Sequence, residues 1–195
     1  MDKVFMINAG TPYAVAKGDL NRSLHDAATS LLTGAGYEVR STHLTEAYRE
    51  EEEVAKFLWA DAIIYQMPAW WMGAPWPLKK YIDEVFTVGH GQLFADDGRS
   101  AAAPSLGYGG GGLLQGRKYM ISSTWNAPRH AFEAQDDFFE GRGIDAVYFP
   151  FHKAHQLIGL EALPTFACFD VVKNPEYESD LLRYKRHLEQ VFNTR

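Results

Sequence analysis

The sequence contains a single cysteine, Cys168, in 195 residues. That excludes an internal disulfide and fits a reducing compartment, so a cytoplasmic location is expected. No apolar run approaches the ~18 residues that a membrane-spanning helix needs. Positive charge is not in excess: 19 Lys and Arg against 25 Asp and Glu leave a formal charge of −6. Binding nucleic acid or an anionic membrane requires a net basic face, so both kinds of partner are disfavoured. The opening MDKVFMINAG has no basic stretch ahead of a long apolar one, so no signal peptide is expected. Without secretion the sequon Asn21-Arg22-Ser23 carries no weight.

Aromatic side chains, in contrast, are plentiful at 14% of the chain, and three of the five tryptophans fall between residues 70 and 76. That concentration needs a physical reason. The length suits one domain, residues 1–195, able to bury on the order of 70% of its unfolded surface. A hydrophobic fraction of 46% with 23% charged residues is ordinary globular composition.

Val4 to Asn8 (VFMIN) is a short apolar run closed by turn residues and reads as a buried strand. Residues 19–34 place Leu20, Leu24, Ala27, Ala28, Leu31 and Leu32 at helical spacing, with Asp19 or Asn21 as candidate N-cap and Gly34 and Gly36 as the stop. Tyr37 to His43 alternates like a less buried strand. Arg49 to Trp59 is helical, with Glu50 to Glu53 favoured in its first turn by the helix dipole. Ala62 to Gln66 reads as a third strand, residues 77–87 as a helix opened by proline, Lys118 to Thr124 as a fourth strand, Thr165 to Val171 as a fifth, and residues 176–192 as a closing helix. Strands alternating with helices imply an α/β fold of three layers: a doubly wound, five-stranded parallel sheet of the flavodoxin-like kind. Ala101 to Gly112 is glycine-rich and reads as a mobile loop.

In an open parallel sheet, ligands lie outside the carboxyl ends of the strands. Three segments follow such ends. Asn8 to Asn21 leads into a helix N-terminus, whose free N–H groups and positive dipole end suit a phosphate, with Lys17 adding a cation; the plain alternative is a βα turn. Met67 to Trp76 carries Trp70 and Trp71, a flat apolar wall for a planar heteroaromatic such as isoalloxazine or a quinone, or else a patch buried between subunits. Thr124 to Ala127 offers backbone donors, the Asn126 amide and the Trp125 indole for the polar edge of a flavin; the alternative is a helix start capped by Thr124 or Asn126.

Other motifs are set aside. Gly107 to Gly112 matches G-x-G-x-x-G but precedes a strand, so the dinucleotide fingerprint fails. No P-loop and no G-x-S-x-G elbow is present. His152 and His155 could share a helix face, yet no carboxylate or cysteine cluster joins them, and no metal site is expected. Cys168 sits in an apolar strand and reads as inert core. Asp83 and Glu84 point to different faces of their helix.

Four segments, QMPAWWMGAPWPLKKYIDEVFTVGHG (66–91), YGGGGLLQGRKYM (108–120), STWNAP (123–128) and FPFHKAHQLIGLEALPTF (149–166), resemble the modulator of drug activity B family in the right order and almost end to end. That family consists of flavodoxin-like NADPH:quinone oxidoreductases that carry FAD and act as homodimers. The resemblance implies that Ala16, Lys17, Gly18, Asp19, Leu20, Asn21, Arg22 and Ser23 hold the pyrophosphate and adenosine side of FAD. It implies that Ala69, Trp70, Trp71 and Met72 contact the flavin, with Trp71 stacking. Thr124, Trp125, Asn126 and Ala127 then hold the flavin's polar edge, and Tyr108 reaches the cofactor from the partner subunit and orients the acceptor as the candidate catalytic residue. Two positions depart from the pattern: relatives typically have His-Ser at Val15-Ala16, a lost hydroxyl donor, and Gly at Ala69. The implied reaction is ping-pong, two-electron reduction of quinones by NADPH. A flavin electron carrier without turnover, an azo- or nitro-compound reductase, and a scaffold dimer without flavin are the alternatives.

Overall fold

The computed structural model describes residues 1–13 and 16–193, so Val15 lies outside the described residues. Its elements run β1 (Lys3–Asn8), α1 (Asp19–Gly34), β2 (Glu38–His43), α2 (Glu50–Trp59), β3 (Ala62–Pro68), α3 (Trp76–Val88) and β4 (Lys118–Thr124). There follow α4 (His130–Glu133), α5 (Gly143–Val147), α6 (Phe149–Leu157), β5 (Glu161–Ala162), β6 (Phe166–Cys168) and α7 (Tyr177–Phe192). The sheet order is β2-β1-β3-β4, with β5 and β6 both parallel to β4 at the far edge. This is the expected doubly wound parallel sheet. Its fifth position is shorter than Thr165–Val171, because Leu163-Pro164-Thr165 interrupts it and Pro164 has no N–H to give a ladder. One helix was expected between strands four and five; three short ones stand there, divided by glycines and a proline.

Side-chain alternation sends each strand's residues to two cores. Val4, Met6, Ala62, Ile64 and Met120 pack against Leu24, Ala28 and Leu32 of α1 and Tyr184, Leu188 and Phe192 of α7. Phe5, Ile7, Ile63, Tyr65, Met67, Tyr119 and Ile121 pack against α2, α3 and α6. Both cores are closed, so β1, β3 and β4 are buried almost end to end.

The second core contains polar groups that are paired. Glu53 on α2 is 2% exposed; it accepts from Thr42 Oγ1 at 2.7 Å, from Tyr81 OH at 2.7 Å and from Lys56 Nζ at 2.6 Å. Its carboxylate thus joins β2, α2 and α3. His155 is fully buried and stacks between Phe151 and Tyr119 at centroid distances of 4.2 and 4.5 Å. Its Nδ1–H donates to the Phe151 carbonyl at 2.7 Å, which leaves Nε2 to accept from Tyr65 OH at 2.7 Å. Burial drives the His155 pKa down from 6.5 to about 3. The glycine-rich segment expected to be mobile is braced by backbone bonds, Gly109 N to Asp97 O at 2.7 Å and Ala95 N to Gly111 O at 2.8 Å.

Two outcomes follow from these groups. Glu53→Ala strands two buried donors and an ammonium, and should cost about 3 kcal/mol in urea unfolding. For His155 the unfolded chain takes up a proton near pH 6.5 while the folded chain resists until about 3. Stability should therefore fall as pH drops through that window, and the fall should be shallower in His155→Gln, measured by urea midpoints at several pH values.

Candidate functional site

Near the carboxyl ends of β1, β3 and β4 the α1 side of the sheet carries a buried polar residue: Asn8 and Thr124 at the last positions of β1 and β4, and Gln66 two residues before the end of β3. Asn21, in the first turn of α1, is 4% exposed and lies over them. Its Nδ2 donates to Thr124 Oγ1 at 3.1 Å, and its Oδ1 accepts from Gln66 Nε2 at 2.9 Å. The helix start is thereby pinned over the carboxyl ends of β3 and β4. Asn21 is not the N-cap that the spacing allowed, and neither is Asp19. The cap is Gly18, left-handed at φ 81°, and among the described residues no side chain caps the helix.

Only glycine fits there. A Cβ on Gly18 would lie 2.3 Å from the Gly10 carbonyl oxygen, and one on Gly10 would lie 2.6 Å from Asn21 Cβ. Two backbone segments therefore touch, and the first N–H groups of a 16-residue helix are left facing outward with the dipole's positive end. Lys17 and Asp19 flank Gly18 with opposite charge, so anion binding here falls to backbone amides.

These groups line one cleft of about 410 Å³. Ala16, Lys17, Gly18, Asp19, Leu20 and Asn21 form one side, Ala69 and Trp70 the other, and Thr124 and Asn126 the floor. Thr11, Pro68, Val171 and Val172 complete it and were missed by the sequence reading. The signal for the two valines was available, since the rule about strand carboxyl ends applies to the fifth strand as well as to the first, third and fourth. Trp70 is the apolar wall, with Tyr13 set edge-on against it at 4.7 Å.

Seven expected residues are placed elsewhere. Arg22 and Ser23 lie further along α1 and do not line the cleft. Trp125 is 4% exposed, packed against Phe132 at 5.0 Å, with its indole N–H on Ser123 Oγ. Ala127 uses its carbonyl to hold the Asp170 N–H at 3.1 Å. No helix starts at Thr124 or Asn126; the next begins at His130. Trp71 is 94% exposed outside the cleft. Met72 lines hollows beside Phe138 and Ile82, and Tyr108 lines one beside Lys153.

Residues 70–73 explain the separation of the two tryptophans. Trp70 and Gly73 exchange both backbone bonds, at 3.0 and 3.1 Å, so the segment is a tight two-residue hairpin. Its central residues, Trp71 and Met72, have φ of 45° and 60°. Glycine and asparagine favour such turns; bulky residues in them store strain, roughly 1–3 kcal/mol each. The turn holds Trp70 inward and throws Trp71 outward.

The residues present fit a flavin: a glycine cradle that any Cβ would fill, uncapped amides for phosphate, and an indole wall for the ring system. Comparison with known proteins agrees with this fold. Residues 2–192 match the family model described as flavodoxin-like fold, and the chain belongs to that family. Within it the chain is a member of the modulator of drug activity B family, being 51% identical over 189 residues to NADPH:quinone oxidoreductase MdaB of Haemophilus influenzae, across 97% of this chain and 98% of that one. Among solved structures, a quinone reductase candidate from Klebsiella pneumoniae superposes with a TM-score of 0.77 at 22% identity, covering 100% of this chain and 86% of that one. General stress protein 14 of Treponema denticola, solved in complex with FMN, gives 0.67 at 18% identity, covering 98% and 99%. At such identities these two show the fold alone.

Gly18→Ala should force the Gly10 loop and α1 apart and lower stability by about 2 kcal/mol. Urea unfolding checks this, and an unchanged midpoint would mean that the close approach is not required.

Proposed function

We propose that this protein is a flavin-dependent NADPH:quinone oxidoreductase whose cleft between α1, Trp70 and Thr124 holds FAD. The observation that carries the reading is the uncapped start of α1, pinned by Asn21 above the strand ends and facing the Trp70 wall across one cleft. The 51% identity to the Haemophilus influenzae quinone oxidoreductase supports the activity. Held by the amides of Gly18 to Asn21 and by Trp70, FAD would supply two-electron chemistry, relaying a hydride equivalent from NADPH to a quinone, with the hydroquinone's second proton drawn from solvent.

The chain's own groups bind and orient. Backbone amides of Gly18 to Asn21 hold the diphosphate, with Lys17 at the rim. Trp70 covers the ring face, and Asn126 is exposed at the floor for its polar edge. Ala69 narrows the wall by one methyl relative to a glycine.

Tyr108 stands on the glycine-rich loop, beside Lys153, and outside the cleft. In this reading it reaches a cofactor only across a dimer interface, where it orients the quinone. Exposed apolar side chains supply material for that interface: Trp71, Met72, Trp76, Tyr108, Phe138 and Phe149. The assembly proposed is a cytoplasmic homodimer of single-domain chains.

Purified protein should be yellow, absorb near about 450 nm, and release FAD on denaturation, identified by chromatography. It should oxidise NADPH with menadione as acceptor. Released FMN would move the assignment to another flavoprotein of the same fold, and holoprotein without turnover would make it an electron carrier. Trp70→Ala should raise the flavin dissociation constant about tenfold, the loss of one aromatic contact. An unchanged constant removes the stacking role.

A further inference from the structure

Beneath the cradle lies a pair of imidazoles with no part in the reading above. His43 ends β2 and pairs in register with Asn8, the last residue of β1. Thr42 turns to Glu53 on one face of the sheet, so His43 turns to the other, towards α1. There the ring of His25 lies 4.7 Å away at 57°. His25 is 2% exposed, its Nε2 meets Ser41 Oγ at 3.1 Å, and its Nδ1 is buried with no partner among the described residues.

The Asn8 carboxamide connects this pair to the cradle. Its Oδ1 accepts the Gly10 N–H at 2.9 Å, and its Nδ2 donates to His43 Nδ1 at 3.4 Å. A carboxamide meets both demands in one orientation only, and only while His43 Nδ1 carries a lone pair. Gly10 is the residue whose carbonyl underlies Gly18 and whose Cα abuts Asn21. It has no slack with which to follow a moving acceptor.

We propose that His43 is a positioning residue for the phosphate cradle: through Asn8 it fixes the Gly10 amide, and a proton on its Nδ1 breaks that linkage and weakens flavin binding. This rests on the cleft's being a flavin cradle. An imidazolium has donors at both nitrogens, so Nδ1–H would face the Asn8 Nδ2–H donors directly. The carboxamide then turns its oxygen to His43 and presents its NH₂ to the Gly10 N–H, which loses its acceptor. The charged and titratable groups around His43 are His25 and Asp26 on α1 and Glu46 in the turn after β2, whose N–H bonds the His43 carbonyl at 2.9 Å. Glu53 and Lys56 of α2 lie across the sheet. Burial first, and the His43 charge next, lower the His25 pKa to about 4, so His25 stays neutral above that pH.

Two measurements test this on the full-length protein. Flavin dissociation constants, from quenching of flavin fluorescence, should rise about tenfold between about pH 8 and about pH 5.5, the loss of one amide bond. His43→Asn offers an acceptor near the Nδ1 position that takes up no proton; its affinity should match the wild type at pH 8 and stay flat. His43→Ala should be weak and flat throughout. In flavin-free protein the Gly10 amide resonance should shift with pH in the wild type and not in His43→Asn. Affinity that is flat or rises on acidification overturns the proposal; a rise would make the imidazolium a plain counter-charge. A wild-type slope in His43→Asn also overturns it. Failure to bind flavin at any pH would instead defeat the cradle reading, and the Gly10 resonance would still decide the linkage to His43.

Discussion

Asn21 is the residue on which the site's geometry depends. Its carboxamide is nearly out of solvent and bridges Gln66 on β3 to Thr124 on β4. Each bond is worth only about 1 kcal/mol net. Their structural effect is larger, because they decide where the first turn of α1 lies. Packing by Leu24, Ala28 and Leu32 keeps the helix on the sheet. The amide bridge ties the first turn of the helix to β3 and β4 near their carboxyl ends. Gly10 and Gly18 then follow as requirements, since the two loops come closer than any side chain permits.

The other half of the cleft is built by strain rather than by pairing. Trp71 and Met72 hold left-handed conformations that neither side chain favours. The two bonds between Trp70 and Gly73 and the ladder of β3 hold the turn against that cost. What it achieves is directional. A regular strand would alternate Trp70 and Trp71 across the sheet, whereas the reversed turn places one against the cleft and leaves the other wholly outside. The exposed Met72 thioether then lines the hollows near Phe138 and Ile82.

The order of strands and helices was legible in the sequence because β1, β3 and β4 are covered on both faces, and double burial writes continuous apolar runs. Helix α1 was legible for a different reason: its one buried stripe repeats at the helical period over Asp19–Gly34. The region from Asn126 to Leu160 was not, since three short helices have too few turns to show a period. At the site, residues 16–21 form one continuous stretch of sequence and could be read together. Trp125 was misleading because it stands in sequence between Thr124 and Asn126, which both line the cleft. Strand alternation carries Ile121, Ser123 and Trp125 to the opposite face, and the indole is a core residue there. Gly18 as the cap was invisible to spacing, because the demand comes from Gly10, eight residues earlier and across a turn.

The sheet therefore divides its labour by face. On the α2, α3 and α6 side, polar groups such as Glu53, Tyr81, Tyr65 and His155 find partners within the core. On the α1 side the apolar core of Val4, Met6, Ile64 and Met120 stops before the carboxyl ends of β1, β3 and β4. The polar layer of Asn8, Gln66, Thr124 and Asn21 takes over there, with Asn21 bonded to Gln66 and Thr124, and Asn8 to Gly10 and His43. The two bonds of Asn21, to Gln66 and to Thr124, hold these side chains without a ligand and leave the backbone amides of α1 unspent, while Gln66 Oε1 has no partner among the described residues. A cradle that is rigid before it is filled loses little conformational freedom on binding. The same economy makes it sensitive to any group that enters the layer from behind, and the His43 imidazole is the one that enters it at Asn8.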